Sequence, residues 1–155
     1  MAVYKYVLHH SANTVPKWLL ETVGVWVSHL NGCAYCVEHH FAGLKRLMAD
    51  DARADTLRRG IEAGDIGATG LGPRDQAALR YAEALTRNPA AMTKAHVTAL
   101  RDAGWSDGEI LEINQVTAYF SYANRTVLGL GCSTEGDILG LSPNQSDDPE
   151  NWSHS

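Results

Sequence analysis

Between Val15 and Met48 the chain reads as two helices separated by a single dipeptide, Asn31-Gly32. Pro16 suits the first turn of a helix, and Leu19, Val23, Trp26 and Leu30 follow at helical spacing. Asn31-Gly32 then breaks the run, because both residues favour a turn over a continued helix. A second helix is expected from about Cys33, with Val37, Phe41, Leu44 and Leu47 or Met48 on its apolar face.

The rest of the chain repeats this grammar. A short helix is expected over 52–63, closed by Gly64, and four glycines between 64 and 72 mark a loop. Pro73 opens the next helix and Asn88-Pro89 ends it. Thr93 is placed to cap a short helix that stops at Gly104. Ser106-Asp107-Gly108-Glu109 matches a capping box, and the helix it starts is the longest and most apolar, running to about Leu128 before Gly129 and Gly131. No strand-length alternating run intervenes. The expected fold class is all-α, a bundle of about six helices over residues 1–141, followed by a polar tail at 142–155 in which Trp152 is the main apolar side chain.

At 155 residues the chain has room for one domain with a proper core. Its hydrophobic fraction of 45% and charged fraction of 20% are ordinary for a soluble protein. A net charge of −5 without a Lys/Arg run argues against nucleic acid as a partner. Nothing approaches the roughly 18 consecutive apolar residues of a membrane span, and the first residues lack the apolar stretch of a secretory signal. The expected location is therefore the cytoplasm, where a close cysteine pair is catalytic or metal-binding more often than a structural staple.

That pair is the centre of the chemistry. Glu21, Cys33, Cys36 and His40 form the constellation Glu-x11-Cys-x2-Cys-x3-His. Thiol redox chemistry requires a thiolate, a second sulfur to resolve the oxidised first one, and a base. At the start of a helix, unpaired N–H groups and the dipole favour a thiolate. Cys33 and Cys36 share a face, and Cys36 and His40 lie one turn apart, so His40 can accept the Cys36 proton. An antiparallel neighbour would bring the Glu21 carboxylate to the His40 ring and orient it. The arrangement points to a dithiol peroxidase.

Other readings use the same residues. Cys33, Cys36, His39 and His40 have the composition of a zinc site, although adjacent His39 and His40 point about 100° apart on a helix. A redox-responsive sensor would form the disulfide with little turnover. His39 is expected at the surface or an interface. His9, His10, His29 and His96 have no spaced partners and are given no catalytic role. Cys132 is read as a buried or incidental thiol. The Tyr119–Tyr122 cluster is read as core with a possible share in a site wall, Trp18, Trp26 and Trp105 as core or interface anchors, and Asn124-Arg125-Thr126 as a buried polar network or subunit contact.

The four-residue signature, with the surrounding NGCAYCVEHH, the later YANRTVLGLG and the ending GLSPN, resembles the alkylhydroperoxidase D family, in the peroxidase-related branch of the carboxymuconolactone decarboxylase superfamily. The resemblance runs from about Val15 to about Asn144. It implies a helical fold with the CxxC at the N-terminus of a central helix, Cys36 as the peroxidatic thiol, Cys33 as the residue that supplies a proton and then resolves to a Cys33–Cys36 disulfide, and His40 with Glu21 as a proton relay. It also implies no metal or haem cofactor, a lipoyl- or thioredoxin-type dithiol as reductant, and a homotrimer or homohexamer. Decarboxylation of a lactone acid is the alternative on the same scaffold, and it has no use for a dithiol. Tyr35 stands where well-known members often carry His, and the N-terminus is read as short beside relatives that bear an additional helix before the motif helix.

Overall fold

A computed structural model describes residues 2–140; the expected polar tail at 142–155, Trp152 and the end of the GLSPN segment lie outside the described residues. Seven α-helices occur among them: α1 (Ala2–Leu8), α2 (Lys17–Leu30), α3 (Ala34–Met48), α4 (Asp51–Glu62), α5 (Pro73–Arg87), α6 (Lys94–Asp102) and α7 (Asp107–Gly129). The described residues contain no strand. The six expected helices are all present, with boundaries shifted by a residue or two. The seventh, α1, was not expected from the sequence.

Helix α2 is the axis of the molecule. Every residue from Leu19 to Ser28 is buried, so this helix is covered on all sides, by α3, α5 and α7. Helix α7 approaches its backbone closely at one point. A Cβ added at Gly24 would sit 2.3 Å from the ring of Phe120, which is itself fully buried. Gly24 is therefore the position that lets the aromatic ring of α7 rest directly on the α2 backbone. The start of α2 is also tied to α7, through the Glu112 carboxylate, which accepts the backbone N–H groups of Thr14 at 2.9 Å and Val15 at 2.8 Å.

The expected local signals act as written. Pro73 occupies the first turn of α5. Ser106 and Glu109 close the capping box of α7, the Ser106 N–H donating to Glu109 at 2.9 Å. Thr93 caps α6, with its N–H donating to His96 Nδ1 at 3.1 Å, which gives His96 a structural task. In α3 the apolar face resolves to Val37, Phe41, Leu44 and Met48, while Leu47 is exposed. After α7 the chain folds back over the outer surface of α3, where Arg46 donates to the Gly140 carbonyl and His39 meets Asp137 at 3.1 Å. No helix among the described residues is long and apolar enough to cross a membrane.

Candidate active site

The α2–α3 connection places the cysteines. Gly32 takes a left-handed φ of 70°. Its N–H donates to the His29 carbonyl at 3.0 Å, and the Cys33 N–H to the Ser28 carbonyl at 2.9 Å. This pair of bonds is a Schellman closure, which satisfies the last carbonyls of α2 within a two-residue turn. The next helix can therefore start immediately: Cys33 is the N-cap of α3, and its carbonyl accepts the Val37 N–H at 3.0 Å.

The turn is braced from α7. Asn124, fully buried, donates to the Ser28 hydroxyl at 3.0 Å and accepts from the Asn31 side chain at 2.9 Å. Ser28 in turn donates to the Gly24 carbonyl at 2.8 Å. The polar network expected at Asn124-Arg125-Thr126 is thus real at Asn124. Arg125 and Thr126 are exposed and bond back to carbonyls of their own helix.

Cys33 and Cys36 are joined as a disulfide with their Cα atoms 5.4 Å apart. Both sulfur-bearing residues are buried, at 0% and 4% exposure. Cys36 lies in the first turn of α3, where the free backbone N–H groups favour negative charge on sulfur once the pair is reduced. His40 follows one turn later on the same helix. Its ring packs edge-on against Phe120, with centroids 4.6 Å apart, so the ring that fills the Gly24 notch also fixes the imidazole.

Glu21 reaches across from α2. Its Oε2 lies 2.9 Å from Nδ1 of His40, the contact that an antiparallel α2–α3 pair was expected to allow. Glu21 is only 3% exposed. Burial alone pushes its carboxyl pKa up, but the nearby His40, the His40 hydrogen bond, His9 and the Tyr4 hydroxyl together outweigh burial and hold it below the usual value. The four motif residues therefore form two pairs, a disulfide and a hydrogen-bonded imidazole–carboxylate pair, joined by the one turn of α3 between Cys36 and His40.

Two further residues at this carboxylate come from the unexpected N-terminal segment. The Tyr4 hydroxyl donates to Glu21 Oε1 at 2.9 Å, and His9 Nε2 lies 3.7 Å from the same oxygen. The Tyr4 and His9 rings meet with centroids 4.9 Å apart. His9 was given no role from the sequence because it has no spaced partner; its partner is reached through the tertiary fold. The available signal was slight: Tyr4 and Leu8, four residues apart, are the buried pair of α1. Tyr119 of α7 borders the group, 5.8 Å from the Tyr4 ring, whereas Tyr122 is exposed. The aromatic cluster of α7 thus divides into core (Phe120), site wall (Tyr119) and surface (Tyr122).

His39 points elsewhere, against Tyr35 at 4.4 Å and Asp137. With His40 on Glu21, His39 on Asp137 and the cysteines on each other, the four candidate zinc ligands do not converge. No metal-holding group of three or more His, Cys, Asp or Glu side chains occurs among the described residues. Cys132 is a free and exposed thiol, which corrects the buried reading and leaves the incidental one.

The chain matches the carboxymuconolactone decarboxylase family over residues 1–84. No curated protein matches it. Among solved structures it is similar to an uncharacterized peroxidase-related protein from Silicibacter sp. TM1040, with 26% identity and a TM-score of 0.72 over 85% of this chain and 66% of that one. It is similar to the alkylhydroperoxidase AhpD core of an uncharacterized peroxidase-related protein from Ralstonia eutropha JMP134, with 26% identity and a TM-score of 0.75 over 90% of this chain and 71% of that one. A protein of unknown function from Agrobacterium tumefaciens shares the fold at 19% identity, with a TM-score of 0.71 over 86% of each chain. The family match covers the whole of α1, α2 and α3, the three helices that bring Tyr4, Glu21, the cysteine pair and His40 together. The chain belongs to the carboxymuconolactone decarboxylase family, among its alkylhydroperoxidase D-like members.

Proposed function

We propose that this protein is a dithiol hydroperoxide reductase. The observation that carries the reading is the Cys33–Cys36 pair at the head of α3, with His40 one turn away and hydrogen-bonded to buried Glu21. In the reduced enzyme His40 takes the Cys36 proton. The Cys36 thiolate attacks one oxygen of the hydroperoxide, the O–O bond breaks, and the leaving alkoxide or hydroxide collects a proton through His40 to depart as alcohol or water. Cys36 is then a sulfenic acid. The Cys33 thiol attacks its sulfur, water leaves, and the disulfide forms. An external dithiol of the lipoyl or thioredoxin type returns both sulfurs to thiols by exchange and is itself oxidised to a disulfide.

Glu21 holds the His40 ring by its Nδ1 side, leaving Nε2 for the proton in transit. The homotrimer or homohexamer is the assembly that the family resemblance implies, and the exposed apolar residues Tyr6, Tyr122, Leu128, Leu130 and Ile138 are the side chains it could cover. A reducing cytoplasm supplies the dithiol.

The test is consumption of hydroperoxide by purified protein with dihydrolipoamide or reduced thioredoxin. Multiple turnovers per chain are expected. A single oxidation event per chain with every reductant would replace the enzyme with a redox sensor. Turnover of a muconolactone-type acid that survives loss of both cysteines would move the protein to the decarboxylase chemistry for which its family is named.

A further inference from the structure

The carboxylate of Glu21 has two oxygens and two hydrogen-bonded neighbours, one on each oxygen, with His9 Nε2 farther off at 3.7 Å from Oε1. Tyr4 bonds Oε1 and His40 bonds Oε2, both at 2.9 Å. An ionised carboxylate only accepts, so both partners donate. The Tyr4 bond is therefore O–H to Oε1, and His40 carries its proton on Nδ1. Without Tyr4, either oxygen could face His40, and the buried carboxylate would keep one oxygen short of a donor.

We propose that Tyr4 is a positioning residue for the thiol chemistry: it holds Oε1 so that Oε2 is committed to His40 Nδ1–H, which leaves His40 Nε2 as the lone pair that takes the Cys36 proton. This rests on the dithiol reading of the site. The residue is built for the task. It is 5% exposed, and Leu8 one turn later anchors its helix in the core at 1% exposure. Burial and the adjacent Glu21 charge push its own ionisation well up, so the hydroxyl stays a donor across the working range. The titratable groups facing Glu21 are Tyr4 and His9 from the N-terminal segment, His40 from α3 and Tyr119 from α7. Of these, Tyr4 and His40 are the ones within hydrogen-bond distance in the structure.

The test measures iodoacetamide alkylation of the reduced cysteine pair against pH in wild type, Tyr4→Phe, Glu21→Gln and the double variant. Tyr4→Phe keeps the ring and removes the donor. It is expected to slow alkylation about tenfold at neutral pH, as loss of a hydrogen bond to a charged group would. The acid limb should move to higher pH, because a carboxylate that loses a donor protonates more easily. On the Glu21→Gln background the same change should have less than about a twofold effect. An equal effect on both backgrounds, or an unmoved pH limb, would make Tyr4 a packing residue and overturn the assignment. The nitrogen chemical shifts of neutral His40 in the wild type give an answer with no variant: Nδ1–H is expected, and Nε2–H would overturn it. Alkylation needs no peroxide, so the two readings separate. Protein that alkylates as described but consumes no hydroperoxide retains the Tyr4 assignment and loses the peroxidase one.

Discussion

Two parts of the molecule meet at Glu21 and differ in kind. The α2–α3 hairpin is tightly held: α2 is covered on every side, its last turn is closed on backbone bonds, and Asn124 braces the joint. Helix α1 is seven residues at the periphery, with Tyr4 and Leu8 turned inward and Val3 and Tyr6 exposed. The hairpin carries the sulfurs, the base and the carboxylate. The peripheral helix adds one hydroxyl and leads into His9. Reacting groups sit on closely packed helices with closed backbone bonds, and the tuning hydroxyl sits on a short peripheral helix, which is expected to open locally at lower cost.

That contrast can be broken by substitution. The largest effect belongs to the hairpin: Cys36→Ser should abolish both disulfide formation and peroxide turnover, measured by thiol titration and peroxide consumption. Phe120→Ala removes the ring that fills the Gly24 notch and backs His40, and should cost about 3–5 kcal/mol of stability in denaturant unfolding. Glu21→Gln should lower turnover about 100-fold, the scale of a general acid–base contribution.

Glu21→Gln should also change the pH dependence of stability. The folded pKa of Glu21 is depressed, so its contribution is complete above its ordinary value of 4.5 and is lost as pH falls through the lower folded value. Acid unfolding curves of the variant should lack that loss. The smallest global effect is expected from α1. Leu8→Ala should speed hydrogen exchange in residues 2–8 while protection in α2 and α3 is kept, and the melting temperature should move little. If α2 and α3 lose protection together with α1, the two regions are one cooperative unit and the contrast fails.

What the sequence made legible follows the same division. The hairpin, the starts of α5, α6 and α7 and the meeting of Glu21 with His40 were readable because caps, Pro73, Asn31-Gly32 and the motif spacing act within a few residues. Helix α1 was not, because one inward pair four residues apart is too little periodicity to stand out, and it has no capping signal. Tyr4 reaches Glu21 across 17 positions, a relation that only tertiary packing creates. The choice between Leu47 and Met48 on α3 was open for a similar reason: both lie near the edge of the apolar stripe, and the neighbours decide that Met48 packs. Cys132 stood between a buried and an incidental thiol because a residue just past a helix end has no periodicity to place it, and the fold exposes it.

The central claim is that the Cys33–Cys36 pair, driven by His40 and Glu21, reduces peroxide. Its most direct test is the free-thiol count of reduced protein before and after one equivalent of hydroperoxide, in wild type and in Cys36→Ser. Loss of two thiols per chain in the wild type and of none in the variant is the expected result. Thiols left untouched by peroxide in the wild type would contradict it.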